Sequence, residues 1–349
     1  MAYTTINKSS LYQNTVLYTG DTSSSRSITG VGFQPDLVWV KTRNAANPHL
    51  LSDSVRGTNN NLQADSDAIA STSYAQGWVS AFGADGYTAQ AGGSGDNDIN
   101  GNTNTYASWN WKANGAGSAN TDGSINSTVS VNTTAGFSIV KWTGNVTSGA
   151  TVGHGLGATP KMIIVKNMSS AQYWCVYHEA VGNTKALYLN DHAVAATSTG
   201  FWNDTSPTNS VFYLGNNNNT NGSGNDLIAY CFAEISGYSK FGSYYGNSST
   251  DGVFNFTGFK PQFVLIKNTT GNNSWELRDN QRQYPYNLQT GTMYVNNNGV
   301  EDNGEGIDML SNGFKCRASG GGQNNGNTFI YMAFGQTLVG TNNVPCTAR

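Results

Sequence analysis

The sequence predicts an all-β protein made of three tandem β-sandwich or jelly-roll-like domains that are related by internal repetition. Short apolar and aromatic segments recur along the chain, turn-forming Gly, Asn, Ser and Thr fill the intervals, and the same order of landmarks occurs three times. No stretch shows the periodicity of an amphipathic helix. A chain of 349 residues also exceeds what one hydrophobic core usually serves, which favours two or three domains.

Each copy begins with an aromatic residue followed at a fixed spacing by Gly and then Asn or Asp. The three signature glycines are Gly20, Gly144 and Gly246. Fifteen or sixteen residues later comes a proline, at Pro35, Pro160 and Pro261. The repeated spacing predicts that these positions have the same structural role in every copy.

After each proline come one polar residue, four apolar residues and a lysine, which align in the three copies without a gap, and the lysines are Lys41, Lys166 and Lys267. An apolar run of this length after a turn is typical of a strand that is buried on both faces. We therefore expect a central core strand in each copy. A lysine at the strand end packs its stem over the core edge and keeps its ammonium in water, which favours a packing role over a function.

Two further landmarks complete each copy. A partly polar segment at 49–55, 174–181 and 275–280 predicts a neighbouring strand. An Asn/Gly-rich loop then leads into an aromatic closing strand at 106–111, 227–232 and 329–334. Alternation along a strand places three pairs on one face. These pairs are Trp109 with Trp111, Tyr230 with Phe232, and Met332 with Phe334.

The landmarks divide the chain into three domains and two connecting stretches. We place the domains at 1–115, 133–238 and 239–338, with a Gly/Ser/Asn-rich linker at 116–132 and a C-terminal tail at 339–349. No comparable linker separates the second and third copies, so we expect those two to pack rigidly together.

Composition argues against several classes of function. Charged residues make up 11% of the chain and the net charge is −3, so a phosphate-binding surface for nucleic acid is disfavoured. No apolar run is long enough for a membrane span or a signal-peptide core, which predicts synthesis in a cytoplasm without membrane insertion. The widely spaced Cys175, Cys231, Cys316 and Cys346 predict buried free thiols and no zinc site.

Candidate chemical sites are few. His178-Glu179 and Asp191-His192 could in principle bind a metal, but the other two copies lack equivalents, and we predict no metal and no cofactor. A glycosidase needs two facing carboxylates. The candidate acids are Glu301, Asp302, Glu305 and Asp308 in one group, and Asp53, Asp65 and Asp67 in another. Acids in Asn/Gly loops are usually solvated turn formers, so we predict no catalytic residue and no enzyme.

The Asn-rich loops at 215–222 and 320–326 are a further candidate. Their amides could hydrogen-bond sugar hydroxyls while a nearby Trp or Tyr stacks on a pyranose face. Turn geometry and loop solubility explain the same composition and are favoured.

The segment at 32–43 and the following Ser52-Asp-Ser-Val-Arg-Gly57 resemble a repeat domain of virion proteins from marine tailed phages, often described as tail fibre or adhesin. The second and third copies keep the Gly-x-x-Pro turn, the apolar strand and the lysine, but lose the Ser-Asp-Ser-Val-Arg stretch. The resemblance implies membership of a phage particle. It supplies no active or receptor-binding residue.

These observations predict a structural protein on the exterior of a bacteriophage virion, a capsid decoration or knob or a tail-fibre component, present in multiple copies. Its partners would be other virion proteins. The alternative is an adhesin that binds host cell-surface glycan, and a polysaccharide depolymerase is the third hypothesis. Surface aromatics clustered in a concavity of one copy only would favour the adhesin.

Overall fold

A computed structural model describes residues 4–72, 74–93 and 98–337. The all-β prediction is confirmed, since paired strands form several antiparallel sheets and only short helical turns occur. Within the described part of the chain, no helix is both long and apolar enough to cross a membrane. The predicted C-terminal tail, which includes Cys346, lies outside the described residues.

The first third of the chain opens with a 3₁₀ turn at Ser9–Leu11 and contains nine strands. They form a six-stranded sheet in the order β1-β9-β3-β4-β5-β6, the first sheet, and a small sheet in the order β2-β8-β7. The strands are β1 Gln13–Thr19, β2 Arg26–Ile28, β3 Leu37–Thr42, β4 Leu50–Asp53, β5 Asn60–Gln63, β6 Ser71–Thr72, β7 Gly77–Gly83, β8 Gly86–Ala91 and β9 Thr105–Trp111.

The middle third contains ten strands and two short helices. Eight strands form the second sheet in the order β10-β11-β12-β19-β14-β15-β16-β17, and β13 pairs with β18. The elements are β10 Ser118–Asn120, β11 Ser127–Asn132, β12 Phe137–Thr143, β13 Ala150–Gly153, β14 Met162–Asn167, β15 Cys175–His178, β16 Lys185–Tyr188, β17 Ala196–Thr197, α1 Thr199–Trp202, β18 Val211–Leu214, α2 Asn218–Asn221 and β19 Asp226–Phe232.

The last third contributes the third sheet, in the order β20-β27-β22-β23-β24-β25-β26-β21. Its elements are β20 Ser239–Tyr245, β21 Phe254–Phe256, β22 Phe259–Asn268, β23 Glu276–Asp279, β24 Leu288–Tyr294, β25 Asp302–Leu310, β26 Gly313–Cys316, α3 Gly321–Asn324 and β27 Thr328–Thr337.

The stretch 116–132 is part of the second sheet and not the predicted linker. It forms β10 and β11, and β11 pairs with β12 along its whole length. Ile125 and Val129 supply the physical reason, because both side chains are buried in the core on the outer face of this sheet. Val131 also packs against this core, and no residue of β11 is fully exposed, so the stretch is held in the sheet on both faces.

The three sheets share a five-strand order: β1-β9-β3-β4-β5, β12-β19-β14-β15-β16 and β20-β27-β22-β23-β24. In each, the strand after the signature proline lies between the aromatic closing strand and the strand of the next landmark. The register also agrees, since Leu37 pairs with Trp111, Met162 with Phe232, and Phe263 with Phe334. We call residues that share a place in this order corresponding residues.

The signature glycines are needed because another backbone passes very close to them. A Cβ atom at Gly20, Gly144 or Gly246 would lie 2.0, 2.3 or 2.0 Å from a backbone oxygen of the loop before the closing strand. No side chain fits at such a distance. The signature prolines Pro35, Pro160 and Pro261 are all buried at the start of the central strand, and Pro261 sits at a register shift.

The inner faces of the three sheets pack together in one core. Trp111, Phe232 and Phe334 are corresponding residues, and their rings form a triangle with centroid separations of 6.4, 5.9 and 5.8 Å. Each ring therefore contacts both neighbouring sheets. Edge-on aromatic contacts of this kind add stability beyond the area they bury.

This shared core changes the predicted organisation. The sequence predicts a linker between the first copy and a rigid pair formed by the other two. In the structure, all three sheets contribute to one apolar cluster. Each sheet also has a core of its own on its outer face. The physical reason is that the central strands β3, β14 and β22 carry apolar side chains on both faces, so a second covering layer is required.

Backbone hydrogen bonds join the sheets pairwise along three lines of contact. We call them the first seam, between the first and second sheets, the second seam, between the second and third, and the third seam, between the third and first. One corresponding bond crosses each seam. These bonds run from the N–H of Ala70 to the oxygen of Met168 (3.2 Å), from Ala195 to Thr269 (3.3 Å) and from Glu301 to Arg43 (2.8 Å).

Corresponding side chains repeat this cyclic pattern. A ring nitrogen of His49, Trp174 or Trp275 lies 3.1, 2.8 or 2.8 Å from a backbone oxygen of the adjoining sheet. The three contacts cross the third, first and second seams in turn. The three sheets therefore close into a ring in which each one contacts the other two.

Candidate functional site

A large cleft lies on the third seam. Its volume is about 810 Å³, within the range of small-molecule sites. Its lining comes from the first and third sheets together: Arg43, Asn44, Thr105, Arg282, Gln283, Tyr284, Tyr286, Leu288, Thr290, Val300, Glu301 and Asn303. We call this the third-seam cleft.

Smaller clefts occupy the other two seams, with volumes of about 240 Å³ on the first and 200 Å³ on the second. They include the corresponding residues of the seam-crossing backbone bonds. Met168 and Ala70 line the first, and Thr269 and Ala195 line the second. The third seam has Arg43 and Glu301 at these places, so its cleft is larger than the other two and has an ion pair where they have neutral residues.

A longer connection enlarges the third-seam cleft. Eleven residues separate Asp279 from Gly291, whereas six separate the corresponding Asp53 and Asn60. The longer segment carries Tyr284 and Tyr286, whose exposed fractions of 72% and 74% exceed those of the other exposed large apolar and aromatic residues of the described chain. Two aromatic rings are thus held at the surface beside a concavity.

The floor of the cleft is a chain of ion pairs. Arg43 Nε donates to Glu301 Oε2 at 2.5 Å, and Arg43 Nη2 donates to the Arg282 backbone oxygen at 3.2 Å. Glu301 Oε1 lies 3.3 Å from Arg282 Nη1, and Arg282 Nε donates to Asp279 Oδ2 at 2.6 Å. Arg282 also stacks on the ring of Trp109, 5.8 Å from its centroid. These contacts fix the floor against the shared core.

The charge state of Asp279 follows from this chain. Burial alone raises the pKa of a carboxyl group, but the charge and hydrogen bonds of Arg282, with a hydrogen bond from Trp109, outweigh burial and hold the pKa of Asp279 below its usual 3.8. Asp279 is therefore ionised at neutral pH. Arg282 has a permanent counterion beneath the cleft.

Amides and hydroxyls form the polar rim. Gln283 Nε2 donates to Thr290 Oγ1 at 2.8 Å and to Asn303 Oδ1 at 3.0 Å, and Asn44 Oδ1 accepts the Thr105 N–H at 2.9 Å. Within the described residues, the side-chain NH₂ groups of Asn44 and Asn303 have no protein acceptor. Tyrosine rings beside amide groups that can still donate hydrogen bonds suit a ligand that is apolar on one face and rich in hydroxyls at its edge.

A comparison with protein-family models identifies the family to which the chain belongs. A family model described as a domain of unknown function (DUF7483) matches residues 8–337. The chain belongs to the DUF7483 family. No curated protein and no solved structure matches it. The DUF7483 model spans all three sheets, as the shared core does.

The recurring lysines of the DUF7483 chain are buried, which corrects the expectation that their ammonium groups face water. Strand alternation puts Lys41 on the inner face with Leu37 and Trp39, where the neighbouring sheet covers it. Lys166 Nζ donates to Asp67 O of the first sheet, and Lys267 Nζ to His192 O of the second, both at 2.7 Å.

The three ammonium groups have only backbone oxygens as hydrogen-bond acceptors in the described residues, and Lys41 binds Thr42 O at 2.8 Å and Ala45 O at 3.4 Å. Burial lowers the pKa of Lys41, Lys166 and Lys267 to about 8. Lys166 and Lys267 therefore hold seams together, and none of the three lysines lines the third-seam cleft.

The histidine and acid candidates do not form a metal site. His178 is buried, with Nε2 3.3 Å from Tyr331 O of the third sheet and Nδ1 accepting the Ala180 N–H, whereas His192 is exposed beside Asp191. Among the described residues, no group of three His, Cys, Asp or Glu side chains has the arrangement of a metal site. Burial lowers the pKa of His178 to about 4.

The first acidic group also serves the seams. Asp53 corresponds to Asp279, and its Oδ2 accepts the hydroxyl of Tyr230 in the second sheet at 2.9 Å. Arg56 Nε binds the same oxygen at 2.5 Å. Asp65 accepts the His49 N–H at 2.9 Å, while Asp67 offers its backbone oxygen to a lysine.

In the second acidic group, three of the four carboxylates have close partners. Asp302 accepts the Tyr294 hydroxyl at 3.1 Å, and Asp308 pairs with Arg317 at 2.5 Å. Burial raises the pKa of the fourth, Glu305. Only Glu301 of this group lines the third-seam cleft.

The Asn-rich loops use several amides to hold their own shape. Asn221 and Asn324 are buried, and their Oδ1 atoms accept the N–H groups of Asn145 and Asn247 at 2.9 and 3.1 Å. Asn100 does the same in the first sheet. The predicted free thiols are found at Cys175, Cys231 and Cys316, all buried.

Sequence reasoning missed the third-seam cleft. Arg43 and Glu301 are 258 positions apart, so no local motif contains both. One signal was present: the third sheet has a longer connection that carries Tyr284 and Tyr286, where the corresponding connections of the other two sheets have neither extra length nor tyrosine. Length differences between copies of a repeat often mark a binding surface.

Proposed function

We propose that this chain is a non-enzymatic binding protein on the exterior of a bacteriophage particle, and that it binds a host cell-surface glycan in the third-seam cleft. One observation carries the proposal: Tyr284 and Tyr286 are exposed beside a concavity on one seam only. A pyranose offers apolar C–H faces to aromatic rings and hydroxyls to the amides of Asn44 and Asn303.

The proposed location on a phage particle is supported by the resemblance of segments 32–43 and 52–57 to a repeat domain of tailed-phage virion proteins. We further infer that the chain is three divergent copies of one β-sandwich domain. The common strand order, the matching register and the corresponding seam contacts support this inference. Several copies of such a protein on one particle would raise the avidity of a weak glycan site.

The chemistry of the cleft favours binding over hydrolysis. A glycosidase positions two carboxyl groups roughly 5 to 10 Å apart across the sugar. Among the described lining residues, Glu301 is the only carboxylate, and both Arg43 and Arg282 pair with it. The cleft therefore lacks the second carboxyl group that this chemistry requires.

A second candidate function, assembly onto the particle, is favoured by a separate observation. Ile69, Val194 and Val300 precede the corresponding seam residues and are all exposed. Three corresponding aliphatic side chains suit a docking surface with threefold symmetry, such as a capsid or tail protein trimer. We infer that the chain docks through this set as a capsid decoration or tail component, and Val300 is common to both sites.

Binding of the purified chain to intact host cells and to arrayed bacterial surface glycans tests the main proposal. We expect saturable binding that the double variant Tyr284→Ala, Tyr286→Ala reduces by about tenfold or more, because each stacked ring contributes of order 1 kcal/mol. The matched control is Tyr173→Ala, an exposed tyrosine on another loop.

Equal binding by the double variant, or no binding to cells and glycans by the parent chain, would refute the glycan site. A cryo-EM reconstruction of the particle then distinguishes assembly, since docking through Ile69 and Val194 requires those side chains to be buried against another virion protein.

A further inference from the structure

The two charged residues of the third-seam cleft, Arg43 and Glu301, have neutral counterparts on the other seams. Met168 and Ala70 occupy their places on the first seam, where the same backbone hydrogen bond forms at 3.2 Å. An ion pair is therefore not required to close a seam. The charges at this one place call for an explanation within the cleft itself.

We infer that the cleft takes an acidic glycan, one whose sugars carry carboxylate groups, and that Arg43 binds the carboxylate. This inference rests on the proposed glycan-binding function. Asp279 neutralises Arg282 beneath the floor, and Glu301 binds only one edge of Arg43, so Arg43 is the lining residue that can offer a charged donor to a ligand. A guanidinium with a free donor edge favours an anionic group over a neutral one at that position.

Arg282 does not supply the accessible charge. Its side chain is buried, Nε is bound to Asp279, and Nη2 donates to the Leu277 backbone oxygen at 3.0 Å. The remaining nitrogen, Nη1, faces Glu301. This guanidinium supports the floor of the cleft and presents no free edge to a ligand.

Arg43 has a free edge. Its side chain is 25% exposed, while Nε is bound to Glu301 and Nη2 to the Arg282 backbone oxygen. Within the described residues Nη1 has no protein acceptor, so one NH₂ group of a fixed guanidinium is available at the cleft surface. Charge-assisted hydrogen bonds from such a group to a carboxylate are about twice as strong as neutral ones.

Glu301 is a positioning residue in this arrangement. It holds the Nε edge of Arg43 and thereby turns the opposite edge toward the cleft. It also competes with a ligand for the same positive charge. Replacing Glu301 alone leaves the Arg43 charge uncompensated, which raises its attraction for an anion. The same change leaves the guanidinium less firmly oriented toward the cleft.

The test compares acidic glycans with their own carboxyl-reduced forms, in which each carboxylate is converted to an alcohol and the sugar ring is retained. Every glycan bound in the array experiment is titrated in both forms at low and at physiological salt. We expect reduction to weaken binding by about tenfold, and salt to weaken binding of the acidic form only.

The matched variant exchanges the charged pair for the pair found on the first seam: Arg43→Met with Glu301→Ala. The first seam already holds this pair at the corresponding place and forms the same backbone hydrogen bond, so we expect the variant to fold, and its unfolding transition is measured beside the parent's. We expect this variant to lose about tenfold in affinity for the acidic form and clearly less for the reduced form, which has no carboxylate for Arg43 to bind. Glu301→Ala alone keeps or increases affinity for the acidic form.

Two outcomes overturn the inference, and they differ from failure of the proposed function. If bound glycans keep their affinity after carboxyl reduction, or if the double exchange changes neither form, the cleft binds neutral sugars and Arg43 is structural. If no glycan binds, or if the Tyr284→Ala, Tyr286→Ala variant binds as the parent does, the proposed glycan site is wrong. The inference about acidic glycans is then wrong as well.

Discussion

The indole nitrogen of Trp109 donates a 2.9 Å hydrogen bond to Asp279 Oδ2, joining the closing strand of the first sheet to the third sheet beneath the cleft. Asp279 in turn holds Arg282, which lies against Glu301. The shared core and the floor of the cleft are thus connected by consecutive polar contacts. Residues that never line the cleft are therefore expected to affect ligand binding.

Asp279→Asn tests this connection, with Asp53→Asn at the corresponding place as its control. Each change removes the closest counterion of a buried arginine, Asp279 from Arg282 or Asp53 from Arg56, so we expect each to lower the free energy of unfolding by about 3 to 5 kcal/mol. Only Asp279→Asn should also weaken glycan binding, because only Arg282 supports the cleft. Denaturant unfolding and glycan titration measure the two effects. Equal binding by both variants would contradict the connection.

The aromatic triangle predicts that the described chain unfolds as one unit. Phe232→Ala leaves a cavity among Trp111, Phe334 and its own sheet, and we expect a loss of about 3 to 5 kcal/mol. Because the core is shared, the whole transition should move together in calorimetry and in tryptophan fluorescence. A variant that melts only one third of the chain, with the rest unaffected, would show that the sheets are independent domains.

Acid should destabilise the fold through His178. Its pKa is about 4 in the folded state and 6.5 in its usual state, so the unfolded chain binds the proton first as the pH falls. The stabilisation is complete above pH 6.5 and is lost between pH 6.5 and 4, by at most roughly 3 kcal/mol. His178→Gln should be less stable at pH 7 but lose less between pH 6.5 and 4. Parallel pH profiles for the two proteins would refute this assignment.

Alkali should act in the opposite direction through the buried lysines. With a folded pKa of about 8 and an ordinary value of 10.5, Lys166 costs stability while it is charged, and the unfolded chain binds more protons between these limits. Stability from this group therefore rises as the pH increases from 8 toward 10. Lys166→Met should flatten that rise, and Lys161→Met, at a partly exposed lysine, should not. Unfolding midpoints at pH 7, 8, 9 and 10 check it.

Local sequence was sufficient for the parts of this fold that depend on neighbouring residues. The apolar run between Pro35 and Lys41 predicted a strand buried on both faces, and the structure places it at the centre of its sheet. Alternation along residues 106–111 predicted which aromatic rings share a face. Such properties follow from the two-residue period of a strand, which every segment carries within itself.

Only the tertiary structure decided what covers those faces. The same alternation that put Lys166 beside apolar neighbours gave no sign that another sheet would bury its ammonium group, and the stretch 116–132 became strands because a core was available for Ile125 and Val129. The cleft has the same origin. Arg43 and Glu301 meet because the third sheet closes on the first, a long-range packing event that no local period encodes.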